Sequence, residues 1–347
     1  MIPHYRPSFN QSEIKAVKAV IKSKHIAQGE KVLELENRLS NFVEKKYCIA
    51  VSSGTSALTL ALLSLKIGSG DEVIIPSYTC SALWHAVKAV GSLPVFADIE
   101  TSSFNLDPED IKQKITSKTR AIIFPHMFGQ PGRIEEVLQF KIPVIEDIAQ
   151  AVGAKINNSP VGSFGDISVI SFYATKVIGA GEGGCILSNS KKFTNNVLNL
   201  REYDEKDNLT LKYNAKMTDI TAAIALEQLK KLSNFIDCRK TIFLRYKSIL
   251  KNNVDVPLED YSSYEANYYR CIAINPKIKL KKIFETAKNM GVKFRRPVYK
   301  PLHLYNQREH LKNSEETWEK QFSVPIYPDL SENEINIVLS TLKHIFI

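Results

Sequence analysis

Cysteine is scarce and irregularly placed in this sequence of 347 residues. The cysteines are odd in number, and no two are spaced as Cys-x-x-Cys; they are Cys48, Cys80, Cys185, Cys238 and Cys271. An odd, scattered set predicts neither a disulfide framework nor a zinc site. We therefore expect the thiols to be reduced.

Long apolar runs are also absent. No stretch approaches the roughly 20 apolar residues that a membrane-spanning helix needs, and the opening segment, MIPHYRPSFN, lacks the apolar core of a signal peptide. These features predict a cytoplasmic protein. With 44% hydrophobic residues, the chain can still bury a large core, and its length suits one large domain and a smaller one.

The sequence has no basic stripe of the kind that binds nucleic acid. The formal net charge is +9, but the lysines are spread along the chain among carboxylates. This distribution favours solvated lysine-rich faces over a polyanion-binding surface. An anionic small substrate is compatible with the charge but is not established by it. No Gly-x4-Gly-Lys-Ser/Thr segment occurs, which excludes a P-loop.

Short β-branched segments bounded by Gly, Pro or Asp alternate with helical stretches through the first part of the chain. This alternation predicts a parallel sheet with helices on both faces. Seven strands are expected, at 47–51, 72–76, 93–98, 120–125, 142–147, 167–172 and 183–188. Ligands of such sheets bind beyond the carboxyl ends of the strands, so we expect the functional residues there.

The helical spacing of apolar residues predicts helices at 12–23 and 31–44, and a long amphipathic helix at about 217–245. The rest of the chain has strand and helix patterns of its own. The predicted fold class is α/β, with a large domain at 1–235 and a smaller C-terminal α/β domain at 236–347.

The segment SSGTSALTLAL, residues 52–62, follows a predicted strand and begins a helix. Backbone N–H groups at a helix start, together with the hydroxyls of Thr55 and Ser56, can bind a phosphate. Ser and Thr are also the commonest helix caps. Capping without a ligand is therefore at least as good an interpretation of this segment taken alone.

Asp147 ends the predicted strand PVIED at the carboxyl edge of the sheet, where a carboxylate can meet a cofactor ring. Gln150 follows three residues later and could share that site. The alternative for Asp147 is an ordinary strand-end acid or helix cap, which is the commoner role of an isolated Asp.

The most informative segment is SFYATKVIGAGEGG, residues 171–184, which places Lys176 after a strand and before a glycine-rich loop. A surface lysine beside a flexible loop is the alternative. The order of a phosphate-binding turn, an Asp, then a Ser and a Lys is what pyridoxal phosphate (PLP) requires. PLP needs a lysine for its imine, a carboxylate that keeps the pyridine nitrogen protonated, and donors for the phosphate.

The chain resembles the DegT-type sugar aminotransferase family, whose members have the aspartate-aminotransferase fold and act mainly on nucleotide-linked keto-sugars. The similarity covers nearly the whole chain, and several motifs in the same order make it specific. They are SSGTSAL, DEVIIPSYT, LPVFADIE, VIEDIAQAVGA, GSFGDISVISFYATK, GEGGCILSN, YNAKMTDITAAIALEQL, KPLH and VPIYPDLSENEI.

The resemblance implies a fold type I PLP-dependent transferase in which Lys176 carries PLP as a Schiff base. Asp147 would pair with the pyridinium nitrogen, and Gln150 would lie near the ring. The residues implied to contact the phosphate are Gly54, Thr55, Ser56 and Ser171.

The resemblance also implies residues for the partner subunit and for the sugar. Asn214 would reach the partner's PLP phosphate in a homodimer with shared active sites. Glu182 and His303 match positions near the sugar-binding region, although a histidine satisfied within a loop is an equally good interpretation of His303. Many members place an aromatic residue against the PLP ring where this chain has Cys80. Trp84, one helical turn later, is either its substitute or a core residue.

Further departures concern the substrate. Lys216 stands where members often carry Arg, and Lys24 and His25 stand where they often carry a Gly-Trp pair. These changes bear on the identity of the substrate rather than on the use of the cofactor.

The reaction that the resemblance implies is a two-step exchange. An amino donor, L-glutamate, converts PLP to its pyridoxamine form (PMP), which then aminates a nucleotide-linked keto-sugar for polysaccharide, lipopolysaccharide or another glycan. Lys176 would also serve as base and acid of the proton shift. A PLP-dependent sugar dehydratase or deoxygenase is disfavoured because similar dehydratases replace this lysine by histidine. A non-catalytic regulator that binds PLP or a sugar nucleotide would not need the intact set of Lys, Asp and phosphate donors.

Overall fold

A computed structural model describes residues 1–204, 206–250, 254–256, 263–275, 277–305 and 309–347. In these residues no helix is both long and apolar enough to cross a membrane. The strands are β1 (Tyr47–Val51), β2 (Glu72–Pro76), β3 (Leu93–Ala97), β4 (Thr119–Pro125), β5 (Val144–Asp147), β6 (Lys155–Ile156), β7 (Ser159–Pro160), β8 (Ile167–Ser171), β9 (Gly184–Ser188), β10 (Tyr264–Glu265), β11 (Cys271–Ile274) and β12 (Gln321–Val324). The helices are α1 (Gln11–Ser23), α2 (Glu30–Val43), α3 (Gly54–Ser64), α4 (Ala82–Ala89), α5 (Pro108–Lys114), α6 (Ile134–Leu138), α7 (Lys191–Arg201), α8 (Asp219–Lys230), α9 (Leu232–Leu250), α10 (Leu280–Asn289), α11 (Lys312–Lys320) and α12 (Glu332–Phe346).

The central sheet has seven strands in the order β1-β9-β8-β5-β4-β2-β3. Within this sheet the pairs β3–β2, β2–β4, β4–β5 and β5–β8 are parallel. Strand β9 runs antiparallel to both of its neighbours, β1 and β8. The predicted α/β class with a mostly parallel seven-stranded sheet is therefore confirmed. The predicted strands agree with the observed ones to within two residues at each end. The carboxyl ends of β2, β4, β5 and β8 lie at one edge, where ligands of such sheets bind.

The sheet is buried on both faces because its strands are apolar and β-branched. Along β2, Ile74 packs into one buried cluster, with α2, α5, α6 and α8. Its neighbours Val73 and Ile75 pack into another, with α3, α4 and α7. This alternation follows from the two-residue period of a strand. Two buried layers hold the strand ends, and hence the loops that follow them, in fixed positions.

A third buried cluster joins α9, α10 and α12 to the two-stranded sheet of β11 and β12. Ile2 belongs to this cluster and pairs with Val292, so the first residues of the chain pack on its C-terminal part. Tyr78 and Phe128, from loops of the central sheet, also contribute to it. The predicted boundary between residues 235 and 236 falls inside α9, and the division into two domains stays a prediction.

Residues 217–245 do not form the single long helix that was predicted. The chain forms α8 and α9, which are separated at Lys231, where the backbone N–H donates to the Gln228 carbonyl at 3.0 Å. The reason is tertiary, since α8 packs against α1 and α2 whereas α9 packs against α12. The Lys231 side chain pairs with Glu13 of α1 at the break. Apolar periodicity continues across this point and does not reveal it.

Candidate active site

A cavity of about 250 Å³, here called the central cavity, lies beside the start of α3 at the carboxyl ends of β5 and β8. Four separate segments bring predicted site residues to its lining: Gly54, Thr55, Cys80, Asp147, Gln150, Ser171, Lys176 and Glu182. The sheet, rather than nearness in sequence, therefore assembles this set.

The start of α3 faces this cavity. Ser53 caps the helix, and its Oγ accepts the Ser56 N–H at 3.0 Å, so Ser56 takes part in the cap instead of lining the cavity. A Cβ on Gly54 would lie 2.7 Å from the Ser171 Cβ, so glycine is what allows α3 to begin this close to β8. The result is a helix N-terminus whose unpaired N–H groups and positive dipole end adjoin the cavity.

Asp147 is the last residue of β5 and is 7% exposed. Its Oδ1 accepts the Ala149 N–H at 2.9 Å. Burial raises the pKa of this carboxyl, while that hydrogen bond and the positive charge of Lys176 act in the opposite direction. A buried carboxylate with unused acceptor capacity favours a positively charged N–H donor in front of it.

Lys176 lies in the loop that follows β8, and backbone hydrogen bonds close this loop. The Phe172 N–H donates to the Gly183 carbonyl and the Ala174 N–H to the Gly181 carbonyl, both at 2.9 Å. Gly181 and Gly183 have φ angles of +87° and +136°, which favour glycine. The glycine-rich run after the lysine is therefore needed to return the chain to β9, and the closed loop holds Lys176 at the cavity.

Tyr269, which precedes β11, contacts Lys176 and was missed by the sequence analysis. The Lys176 Nζ lies 5.6 Å from the centroid of its ring, and the Arg270 Cζ lies 4.8 Å from it, both within cation–π range. Its hydroxyl accepts from an Arg270 N–H at 3.3 Å and lies 3.4 Å from the Thr175 Oγ1. Burial by itself raises the pKa of Tyr269, but the positive charges of Arg270 and Lys176 lower it to about 8. Nothing in EANYYRC distinguishes this tyrosine from the one before it, so no local signal identifies it.

The remaining cavity residues differ in how firmly they are held. The Gln150 Oε1 accepts the Phe128 N–H at 2.9 Å, and Phe128 has a φ of +60°, so Gln150 supports an unusual turn beside the cavity. Cys80 and Glu182 are exposed where they line the cavity. Their side chains are therefore accessible to a ligand that enters it.

Other predicted residues lie outside the central cavity. The two ring nitrogens of His303 are 2.5 Å from the Ser77 Oγ and 3.0 Å from a Glu315 carboxylate oxygen, and His303 lines a cavity that Trp84 also lines. Trp84 lines two neighbouring cavities instead. Asn214 is exposed and forms no hydrogen bond within the described residues.

Comparison with known proteins gives a consistent result. A model of the DegT/DnrJ/EryC1/StrS aminotransferase family matches residues 7–343. The GDP-perosamine synthases of Escherichia coli O157:H7 and Vibrio cholerae are 31% and 30% identical to this chain. These alignments cover 99% and 100% of this chain and 98% and 99% of the two relatives.

The solved structures that resemble this chain include a putative sugar aminotransferase from Streptococcus pneumoniae. Its PLP form and its PMP form each superpose with a TM-score of 0.93, at 27% and 26% identity. The matches cover 99% of this chain and 98% and 97% of theirs. A DegT DnrJ EryC1 StrS aminotransferase from Brucella abortus superposes with a TM-score of 0.89 at 26% identity, covering 97% of this chain and 95% of its own.

Proposed function

Because this chain belongs to the DegT/DnrJ/EryC1/StrS aminotransferase family, we propose that Lys176 and Asp147 are the catalytic residues of a sugar aminotransferase. The reaction transfers an amino group from an amino acid to a nucleotide-linked keto-sugar, and PLP is the cofactor. The observation that carries the assignment of residues is their convergence, with the start of α3, on one cavity.

The groups around the central cavity fit PLP. The start of α3 and the Ser171 hydroxyl suit a phosphate, and the buried Asp147 carboxylate suits a protonated pyridine nitrogen. When bound, PLP forms an imine with a primary amine and withdraws electrons from the adjoining carbon.

Lys176 has two roles in this proposal. Its amine holds the cofactor between turnovers. Once released from the cofactor, the Lys176 Nζ would act first as base and then as acid in the 1,3-proton shift, accepting the proton that leaves the donor's α-carbon. The closed loop between Phe172 and Gly183 supports both roles, since it holds the backbone that carries this amine.

Asp147 stabilises positive charge on the ring nitrogen. In the free protein the charge of this carboxylate is poorly solvated because the group is buried, and this burial raises its pKa. An N–H donor with a positive charge gives it the partner that water does not. The same pair keeps the ring electron-withdrawing, which is what removal of a proton by Lys176 requires.

The substrates are proposed from the relatives and from the family resemblance. GDP-linked keto-sugars are the first to test, because two relatives are named GDP-perosamine synthase. L-glutamate is the proposed amino donor. The aminated sugar would then enter a surface polysaccharide, a lipopolysaccharide or a related glycan.

A homodimer with shared active sites is part of the proposal. Asn214 is exposed, and its neighbour Ala215 accepts the Ser52 N–H at 2.8 Å, next to the start of α3. Leu209 and Leu211, in the same segment, are exposed apolar side chains that a second chain could cover.

We also propose that the enzyme works in the cytoplasm, which its free cysteines support.

Borohydride reduction of the holoenzyme, followed by peptide mapping, tests the role of Lys176. We expect the cofactor to become fixed to Lys176. Lys176→Ala should still bind PLP noncovalently yet lose turnover by about 1,000-fold or more, because the same amine supplies both the imine and the proton transfer. A label on any other lysine would contradict this assignment.

Asp147→Asn tests the role of Asp147, because it keeps the shape of the side chain and removes its charge. This variant should still be labelled at Lys176. Its half-reaction with L-glutamate should slow by about 100- to 1,000-fold, the usual effect of removing one preorganised electrostatic contact. An unchanged rate would show that Asp147 is not the partner of the ring nitrogen.

A further inference from the structure

Two tyrosines from distant parts of the chain contact the loop that carries Lys176. The Tyr5 hydroxyl donates to the Ala174 carbonyl, and the Tyr269 hydroxyl lies 3.4 Å from the Thr175 Oγ1. The Lys176 Nζ lies 5.6 Å from the centroid of the Tyr269 ring. Three consecutive residues of this loop are therefore each in contact with a tyrosine, and Tyr269 contacts the last two.

The amine of Lys176 is held less firmly than its backbone. The side chain is half-buried, and within the described part of the chain its Nζ donates no hydrogen bond. A lysine stem is long and flexible, so an amine without a contact samples many positions. The Tyr269 ring lies within cation–π range of this amine. It therefore favours one position of the amine without an ion pair that would have to break before the amine reacts.

Tyr269 can restrain a neighbour because its own position is fixed. The residue is only 6% exposed. Its backbone N–H donates to the Asn267 Oδ1 at 3.0 Å, and its carbonyl accepts an Arg239 N–H at 3.3 Å. The Asn267 Nδ2 in turn donates to the Gln150 carbonyl at 3.0 Å, and Gln150 lines the central cavity. The ring is thus anchored to the same loop that borders the cavity.

The charges around Tyr269 make its contact with Lys176 measurable. Burial opposes ionisation of the phenol, whereas the positive charges of Arg270, Lys176 and Arg239 favour it, and the resulting pKa is about 8. Burial raises the pKa of the neighbouring phenol, Tyr5, to about 12, so the two titrations are well separated. Because coupling between two charged groups is mutual, the titration of Tyr269 responds to the charge at position 176.

We propose that Tyr269 is a positioning residue, which holds the Lys176 amine at the central cavity whenever the amine is not bound to the cofactor. This inference rests on the proposed function. The ring restrains the amine, and the hydroxyl restrains Thr175, the residue before it. The described lining of the central cavity does not include Tyr269, so Tyr269 acts on proton transfer through Lys176 and binds neither substrate. Displacement of a reacting group by about 1 Å can cost about 100-fold in rate.

The half-reaction of the holoenzyme with L-glutamate tests this role. Tyr269→Leu removes the ring, so the rate at saturating donor should fall about 10- to 100-fold, while the half-saturating donor concentration stays unchanged. Tyr269→Phe keeps the ring and should stay within about threefold of the wild type. Tyr246→Leu, the same change at a buried tyrosine of α9, should leave the rate unchanged. An unchanged rate for Tyr269→Leu, equal losses in both Tyr269 variants, or a change only in the half-saturating concentration overturns the proposal.

Titration of the cofactor-free protein tests the same contact without any reaction. The tyrosinate absorbance step of Tyr269 should move to higher pH in Lys176→Met, which removes the charge and keeps the length of the side chain. It should move less in Lys176→Arg, which keeps the charge. A step that stays in place in Lys176→Met, or moves equally in both variants, overturns the proposal. If the protein aminates no keto-sugar, yet the step moves as expected, the contact stands and the proposed function falls.

Discussion

At the scale of single residues, Tyr269 shows how neighbours change the chemistry of one side chain. Its phenol is buried, yet Arg270 and Lys176 lie close enough to its ring to lower its pKa to about 8. Near neutral pH it is therefore protonated. Above pH 8 it becomes a phenolate beside Lys176, so the electrostatic environment of the Lys176 amine depends on pH.

We predict that one tyrosine of the cofactor-free protein titrates near pH 8 and that Tyr269→Phe abolishes this step in tyrosinate absorbance. A lowered phenol pKa stabilises the folded state fully above the unfolded pKa of about 10, and that gain is lost as the pH falls through 8. The free energy of unfolding of the wild type should therefore rise relative to the variant by about 2 kcal/mol between pH 7 and pH 10.

Tyr246→Phe is the matched control for this titration, because Tyr246 is also buried but burial raises its pKa. Its stability difference from the wild type should not move in favour of the wild type over the same pH range. If the absorbance step near pH 8 persists in Tyr269→Phe, another phenol is responsible.

At the scale of elements, α2 begins with a cap that comes from another helix. Its first residues follow Gly29, which has no side chain to cap them. The Asp219 carboxylate, at the start of α8, accepts the N–H groups of Gly29 and Val32 at 2.9 Å and of Lys31 at 3.2 Å. The aspartate of YNAKMTDITAA is thus structural, although it stands in the same motif as Asn214.

Asp219→Ala should lower the free energy of unfolding by about 2 to 3 kcal/mol, because three N–H groups, of which that of Val32 is buried, lose a charged acceptor. Urea unfolding of the cofactor-free protein measures this change. Asp237→Ala, at an exposed position of α9, should stay within about 0.5 kcal/mol of the wild type. A stability equal to that of the wild type for Asp219→Ala would mean that water replaces the cap.

At the scale of the whole molecule, the proposed homodimer predicts complementation. Asn214→Ala should weaken retention of PLP without abolishing folding, since a hydrogen bond to a charged group is worth about 1.5 to 3 kcal/mol. In a heterodimer of Lys176→Ala and Asn214→Ala chains, one site carries both defects and the other carries neither. Activity per heterodimer should return to about half that of the wild type if the sites are independent.

Purified heterodimers, made with two different affinity tags, give the measurement. The two mutant homodimers are the controls and should both be impaired. Heterodimers no more active than these homodimers, or a wild type that is active as a monomer, would rule out shared sites.

Much of this architecture was determined by the sequence itself. Strand β5 and the loop after β8 could be placed because short apolar segments bounded by Pro, Asp or Gly are a local signal, and a parallel sheet aligns their carboxyl ends. Lys176, Asp147 and Gly54 reach one cavity for that reason. The family resemblance of the ordered motifs then supplied the cofactor and the reaction.

Only the tertiary structure decided the features that depend on docking between distant segments. Tyr269 contacts Lys176, and Arg270 contacts His4. The two residues of each pair are far apart in the sequence, and apolar periodicity does not predict their contact. The break at Lys231 arises because α8 and α9 pack on different partners. The physical reason is that apolar spacing reports which face of a segment is buried, whereas the side chains that converge there depend on how the segments pack together.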